Sequence, residues 1–158
     1  MKRGTTLFLR MAVILMGLPV LALSIFGLYF LARNPVNPEF AHIIYPAIVG
    51  MYGSTVPYFI ALYQSFKLLN YIDRNQAFSD LSVKALGKIK ICAMIFSSLY
   101  VVILPFVFIM AEYDDAPGLV IIGMVPVFAA MVIAVFAAVL QRLLQEAIRI
   151  KSENDLTV

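Results

Sequence analysis

Four long stretches without Asp, Glu, Lys or Arg constrain this chain more than any other feature of its sequence. They cover residues 11–32, 40–66, 91–111 and 116–141. A helix needs about 20 apolar residues to cross the hydrocarbon of a bilayer, and each stretch reaches that length. Because backbone groups in lipid must find their hydrogen bonds within the segment, each crossing is predicted to be an α-helix. The sequence therefore predicts an all-α membrane protein.

Composition indicates that lipid serves as the solvent of this chain. Hydrophobic residues make up 63% of its 158 residues and charged residues only 13%, whereas a soluble domain carries about 25% charged residues. A water-soluble core of this size cannot hide so much apolar surface. We therefore predict a single four-helix membrane domain over residues 1–158. Its crossings are expected at about residues 11–32, 41–66, 91–111 and 118–141.

The connections between the four stretches predict how the helices pair. The first and third connections are short and contain proline, so helices 1 and 2 form one hairpin and helices 3 and 4 form another. Residues 67–90 join the two hairpins as a loop on the opposite side of the membrane. Residues 142–158 form a tail on the same side as that loop.

The basic residues predict the orientation of these hairpins. With four crossings, eleven of the 12 Lys and Arg residues fall on the side of the two termini, and only Arg33 falls on the other side. Short segments rich in Lys and Arg remain in the cytoplasm. Both termini, the loop 67–90 and the tail 142–158 are therefore predicted to be cytoplasmic.

The residues that usually carry chemistry are scarce. The four apolar stretches contain no charged residue, which argues against a proton-coupled transporter because such pathways depend on buried charges. His42 is the only histidine and is interpreted as interfacial, with a pH sensor or metal ligand as the alternative. Cys92 is the only cysteine. We predict no catalytic, cofactor-binding or metal-binding residue, no enzymatic activity and no direct contact with nucleic acid.

The loop 67–90 carries helix boundary signals. Helix 2 is expected to continue to Tyr71 or Ile72 and to end in a turn at 74–77. Ser79 is a favourable N-cap residue, and Asp80 would lie near the positive end of the next helix. Helix 3 is therefore predicted to begin on the cytoplasmic side of the membrane. Lys84 and Lys88 share one of its faces and could meet anionic lipid.

The segment 141–151 is predicted to continue helix 4 into the cytoplasm, and residues 152–158 are expected to fray. Its apolar stripe has two interpretations, a helix end that packs on the loop or a docking surface for a cytosolic protein. The candidate partner-binding residues of the loop and this helix are Asp73, Phe78, Lys84, Lys88 and Arg149.

Each crossing contains proline, and helix 2 is the most irregular. Pro46 and Pro57 flank Gly50 and Gly53 within it. Proline removes a helical hydrogen bond and can bend the helix, which membrane helices tolerate. The pattern is explained by shape and packing alone, and a ligand cavity near these four residues is the alternative.

Helix 4 carries a small residue at every fourth position. Ala130, Ala134 and Ala138 share one face, and such a face allows another helix to approach closely. This candidate helix–helix contact is interpreted as packing within the chain, with a homo-oligomer contact as the alternative.

Several segments together resemble a known family. The run YIDRNQAFSDLSVKAL at 71–86, between paired membrane helices, resembles the bacterial DUF2975 family, and so do residues 1–9, 139–145 and 151–158. The resemblance implies a four-helix protein of the bacterial plasma membrane, in a family without assigned chemistry or functional residues. It also implies a gene located beside that of a small helix-turn-helix regulator.

These observations lead to two functional hypotheses. The first is a non-enzymatic membrane protein that binds or sequesters a cytosolic helix-turn-helix regulator through the loop and the C-terminal helix. The alternative is a small permease or a toxin-immunity protein that binds an apolar ligand between its membrane helices. An enzyme is the weakest option, because the sequence offers no nucleophile with a base, no carboxylate pair with a histidine at a bilayer surface and no phosphate loop.

Overall fold

The computed structural model describes residues 3–34, 38–39, 41–113 and 115–157. These residues form four α-helices, α1 (Arg3–Arg33), α2 (Ala41–Asp73), α3 (Asp80–Tyr113) and α4 (Gly118–Thr157). The described part of the chain contains no β-strand. All four helices are long and apolar enough to cross a membrane. The prediction of an all-α membrane protein with four transmembrane helices is therefore confirmed.

The helices extend beyond the four predicted crossings. Together α2 and α3 take up most of residues 67–90, leaving only a short turn between them, and α4 continues to Thr157. The expectation that residues from 152 onward fray is therefore wrong, since helix is present up to Thr157. The apolar stripe that includes Leu144 and Ile148 predicts helix only as far as residue 151.

The turn between α2 and α3 is closed by a Schellman motif, a pair of backbone hydrogen bonds that ends a helix. Asn75 has a φ of 59°, its N–H donates to the carbonyl of Ile72, and that of Gln76 donates to the carbonyl of Tyr71 over 2.7 Å. Asparagine tolerates this left-handed conformation better than most residues. The turn predicted at 74–77 is therefore confirmed.

Ser79 lies at the start of α3, as predicted, because the helix begins at Asp80 and the carbonyl of Ser79 accepts from the N–H of Val83. Its hydroxyl does not act as an N-cap acceptor in the bonds observed; it donates to the carbonyl of Gln76. The hydroxyl of the fully buried Ser82 donates to the same carbonyl. Both serines therefore fasten the turn to the first residues of α3.

The four helices lie in a row rather than in a closed bundle. Helix α3 packs extensively on α2 and on α4, whereas the described part of α1 packs on α2 alone and less closely. In lipid no hydrophobic force draws helices together, because the acyl chains are as apolar as leucine. Close packing therefore depends on local shape and hydrogen bonds, and the most extensive contacts are those that α3 makes with α2 and α4.

Small residues allow the close approaches along α3. A side chain on Gly50 of α2 would place its Cβ 2.8 Å from Cγ1 of Ile103, and one on Gly123 of α4 would lie 3.1 Å from Leu104. Of the predicted small-residue stripe on α4, Ala130 is buried, while Ala134 and Ala138 are half-buried. Contacts of α4 within the described chain are made with α3, and homo-oligomer contact stays a prediction.

Replacing Gly50 by alanine should weaken the contact between α2 and α3. Ile103 is only 4% exposed, so its side chain cannot move aside freely, and overpacking of this kind costs about 1–3 kcal/mol. The matched control is Gly53→Ala on the same helix, where a new Cβ meets nothing within 4 Å. Circular dichroism of the purified variants during heating measures the difference. Equal melting temperatures for the two variants would contradict this assignment.

Candidate functional site

The basic end of the protein is the end where α1 and α3 begin and where α2 and α4 finish. Here α2, the turn, α3 and α4 surround an apolar groove of about 400 Å³, which we call the basic-end groove. It is lined by Leu68, Ile72, Ala77, Phe78, Leu86, Leu140, Leu143, Leu144 and Ala147. All but Leu140 lie outside the four charge-free stretches. The groove therefore lies largely at the level of the charged residues.

The five predicted partner-binding residues have different surroundings in the structure. Phe78 lines the basic-end groove and remains 56% exposed. Lys84 and Lys88 are exposed on α3, and neither lines this groove. Asp73 and Arg149 are engaged in ion pairs, with Arg10 and Glu146 respectively. The binding role of all five residues stays a prediction.

Sequence reasoning missed part of this groove. Leu68 and Ile72 on α2 and Leu140 on α4 line it, but we had interpreted them as ordinary parts of a helix end or a crossing. The apolar stripe on α4 was the one available signal, since Leu143, Leu144 and Ala147 from it all line the groove. Nothing in the sequence indicated that α2 and α4 flank the same face of α3.

A polar cluster beside the groove ties α1 to the end of α2. A guanidinium nitrogen of Arg10 donates to a carboxylate oxygen of Asp73 over 2.7 Å and also to the side-chain carbonyl of Asn70. The side chains of Arg10 and Asp73 are 33% and 27% exposed, so solvent screens the ion pair and its contribution is about 0–1 kcal/mol. Its main consequence is positional, because Asp73 directly follows the groove residue Ile72.

Two tyrosines of α2 hold α1 deeper in the apolar region. The hydroxyl of Tyr58 donates to the carbonyl of Met16 over 2.7 Å, and that of Tyr52 donates to the carbonyl of Ser24 over 2.8 Å. A Cβ on Gly27 would lie 2.8 Å from the Tyr52 hydroxyl, so this glycine makes room for the tyrosine. Hydrogen bonds of this kind join helices in lipid.

Helices α1 and α2, together with Tyr100 of α3, line a second apolar space of about 580 Å³ that is partly open, which we call the α1–α2 cavity. Its volume falls in the range of about 300–1,000 Å³ that is typical of ligand pockets. Two of its polar residues are already engaged, since Tyr52 bonds Ser24 and Thr55 donates to the carbonyl of Tyr52 over 2.6 Å. The cavity therefore suits an apolar molecule better than a polar one.

The cavity lies along the stretch of α2 that contains the proline and glycine pattern, but the four residues of the pattern do not line it. It is lined on α2 by Ile44, Ile48, Met51, Tyr52 and Thr55, and none of Pro46, Gly50, Gly53 and Pro57 contributes to it. Gly50 instead faces Ile103 of α3. The four residues share the same stretch of α2 with the cavity but occupy other faces of the helix.

Groups for metal or nucleophilic chemistry are not gathered at either space. Among the described residues no cluster of three or more His, Cys, Asp or Glu could hold a metal ion. His42 is exposed at the start of α2, and Cys92 is buried in α3 as a free thiol. That the chain is not an enzyme stays a prediction.

Comparison with known proteins agrees with the fold. A family described as "Protein of unknown function (DUF2975)" matches residues 28–158. The chain is also 54% identical over 160 residues to "Uncharacterized membrane protein YoaS" of Bacillus subtilis (strain 168), covering both chains completely. No solved structure matches the chain. The chain therefore belongs to the DUF2975 family, and its four apolar helices are those of a membrane protein.

Proposed function

We propose that the protein is a non-enzymatic component of the bacterial plasma membrane that binds a cytosolic protein in the basic-end groove. The groove itself carries this proposal. Phe78 is 56% exposed and Leu143 is 61% exposed, although both belong to segments rich in charged residues where lipid does not cover them. Exposed apolar surface with a polar rim is typical of a protein interaction site.

The partner chemistry follows from the shape and charge of the groove. A cleft between helices suits an amphipathic helix that inserts apolar residues spaced three or four positions apart. The segments around the groove carry four exposed basic residues, Arg74, Lys84, Lys88 and Arg142. Acidic residues beside the apolar face of the partner helix would therefore favour binding. A small helix-turn-helix regulator, of the kind that the family resemblance implies is encoded beside the gene, is the candidate, because such proteins consist of short amphipathic helices.

The proposal requires the basic end to be in the cytoplasm, as the distribution of Lys and Arg predicts. A green fluorescent protein fused after residue 158 should fluoresce, and alkaline phosphatase fused there should be inactive. Phosphatase fused after Pro117, in the turn between α3 and α4, serves as the positive control and should be active. Active phosphatase at the C-terminus would reverse the orientation and remove the basic end from the cytosol.

Replacing Phe78 by serine should weaken binding of the neighbouring regulator at least tenfold. A central aromatic side chain of an interface typically contributes about 2 kcal/mol or more, and serine leaves the groove without it. The matched control is Leu156→Ser, which removes an apolar side chain that is 84% exposed and does not line the groove. Titration of purified regulator onto the detergent-solubilised protein gives both affinities.

The same experiment can contradict the proposal in two ways. Equal affinities for the wild-type chain and the Phe78→Ser variant would exclude the basic-end groove as the binding site. Lack of any binding by the neighbouring regulator, together with unchanged transcription of its target genes in a deletion strain, would exclude the regulator as the partner.

A second candidate function is favoured by the α1–α2 cavity. Its volume of about 580 Å³ and the sparse packing between its two helices support a protein that takes an apolar molecule from the bilayer, as a small permease or an immunity protein would. Because the described part of α1 is mostly exposed and packs on α2 alone, a ligand could enter sideways without separating α2 from α3.

Tryptophan substitutions can test the cavity, because the chain contains no tryptophan of its own. In vesicles, a dibrominated alkane should quench Ile48→Trp fluorescence with a saturating dependence on concentration, since Ile48 lines the cavity. Val49→Trp is the matched control, because Val49 is 69% exposed towards lipid and should show only gradual quenching. Identical quenching curves for the two variants would exclude a binding cavity.

A further inference from the structure

We propose that the cleft between α3 and α4 at the basic end binds an anionic phospholipid. Two adjoining spaces form this cleft, an apolar groove of about 740 Å³ and a polar pocket of about 520 Å³, and they share Lys90 and Ala138. The polar pocket also contains Gln141, Arg142 and Gln145. The arrangement matches a lipid that places its phosphate in the pocket and an acyl chain in the groove.

The length of the apolar groove fits a single leaflet. Along α3 it extends from Lys90 to Val102, which is 12 residues or about 18 Å at the rise of an α-helix. Half of the hydrocarbon core of a bilayer is about 15 Å thick. Met94 and Met131 contribute to its walls, and methionine side chains adapt easily to a flexible chain. An acyl chain would therefore run from the membrane surface to about the midplane.

The charge of the polar pocket selects the headgroup. Lys90 and Arg142 both line it, and no acidic residue is among its lining residues. Two cations at the edge of the hydrocarbon attract an anionic headgroup. A phosphodiester without a compensating ammonium group supplies that charge. The pocket therefore favours phosphatidylglycerol over a zwitterionic lipid.

A hydrogen-bonded support holds Lys90 in the pocket. The amide nitrogen of Gln141 donates to the carbonyl of Val83 over 3.2 Å, and its amide oxygen accepts from the ammonium of Lys90 over 3.2 Å. A Cβ on Gly87 would lie 2.8 Å from that amide nitrogen, so glycine allows Gln141 to lie across α3. Only one of the three ammonium hydrogens is used in this bond, and the others can bind phosphate.

Native mass spectrometry of the full chain in detergent tests the proposal with two defined lipids, dioleoyl phosphatidylglycerol and dioleoyl phosphatidylcholine. The first should bind as one retained molecule at lower concentration than the second. Each of the substitutions Lys90→Gln and Arg142→Gln should lower the affinity for phosphatidylglycerol about fivefold. The control Lys151→Gln removes the same charge from an exposed position outside the cleft and should leave the affinity unchanged.

A further variant probes the apolar groove without altering charge. Ala134 lines the groove, so Ala134→Phe should obstruct the acyl chain and weaken lipid binding. In a separate competition with the wild-type chain, glycerol phosphate alone should displace the lipid poorly, because it lacks the acyl chain. Melting curves confirm that the variants fold. Equal binding of both lipids, an equal loss in the Lys151→Gln control, or full competition by glycerol phosphate would each overturn the proposal. So would a stable dimer whose assembly Ala134→Phe abolishes, because the groove would then be a subunit interface.

Discussion

The structure depends on the requirement that backbone groups in lipid find hydrogen bonds within their own helix. Four helices satisfy this requirement locally, and nothing then compels them to close into a bundle, since burial from lipid yields no hydrophobic gain. The order of packing is decided by side chains that allow close approach. Gly50 of α2 and Gly123 of α4 lie at such contacts with α3, and Gly87 of α3 lies at one with α4. These contacts explain why α3 is the centre of the row.

An open row of helices leaves spaces that a closed bundle would fill. The α1–α2 cavity, the cleft between α3 and α4 and the basic-end groove all arise where neighbouring helices diverge or where two helices flank a third. The linings of these spaces differ in polarity. The two spaces within the crossings and the basic-end groove are apolar, whereas polar residues such as Gln141 and Arg142 line the pocket at the basic end of α3 and α4. The polarity of the lining therefore limits which ligand each space can hold.

The sequence was informative about single helices and uninformative about their arrangement. Apolar length predicted the four helices, and the turn residues around Asn75 predicted the boundary between α2 and α3, because both depend on neighbouring residues in the chain. The groove could not be predicted, since Leu68 and Leu140 are 72 positions apart and line the same groove only because both α2 and α4 pack on α3. The proline and glycine pattern indicated the stretch of α2 beside the cavity but not the lining residues, because it indicates an irregular helix without indicating which face is left open.

The position of α2 connects the two proposed functions. Its middle forms one wall of the α1–α2 cavity, and its last residues form part of the basic-end groove. Arg10 of α1 contacts Asp73, the residue after Ile72 in the groove wall. A molecule that moved α1 away from α2 would strain this contact, and the strain would fall on the segment that shapes the groove. Binding of the ligand and binding of the partner would then be coupled only if each has a different affinity for the two conformations, with α1 close to α2 and with α1 moved away. That difference in affinity would distinguish a sensor from a protein with two independent sites.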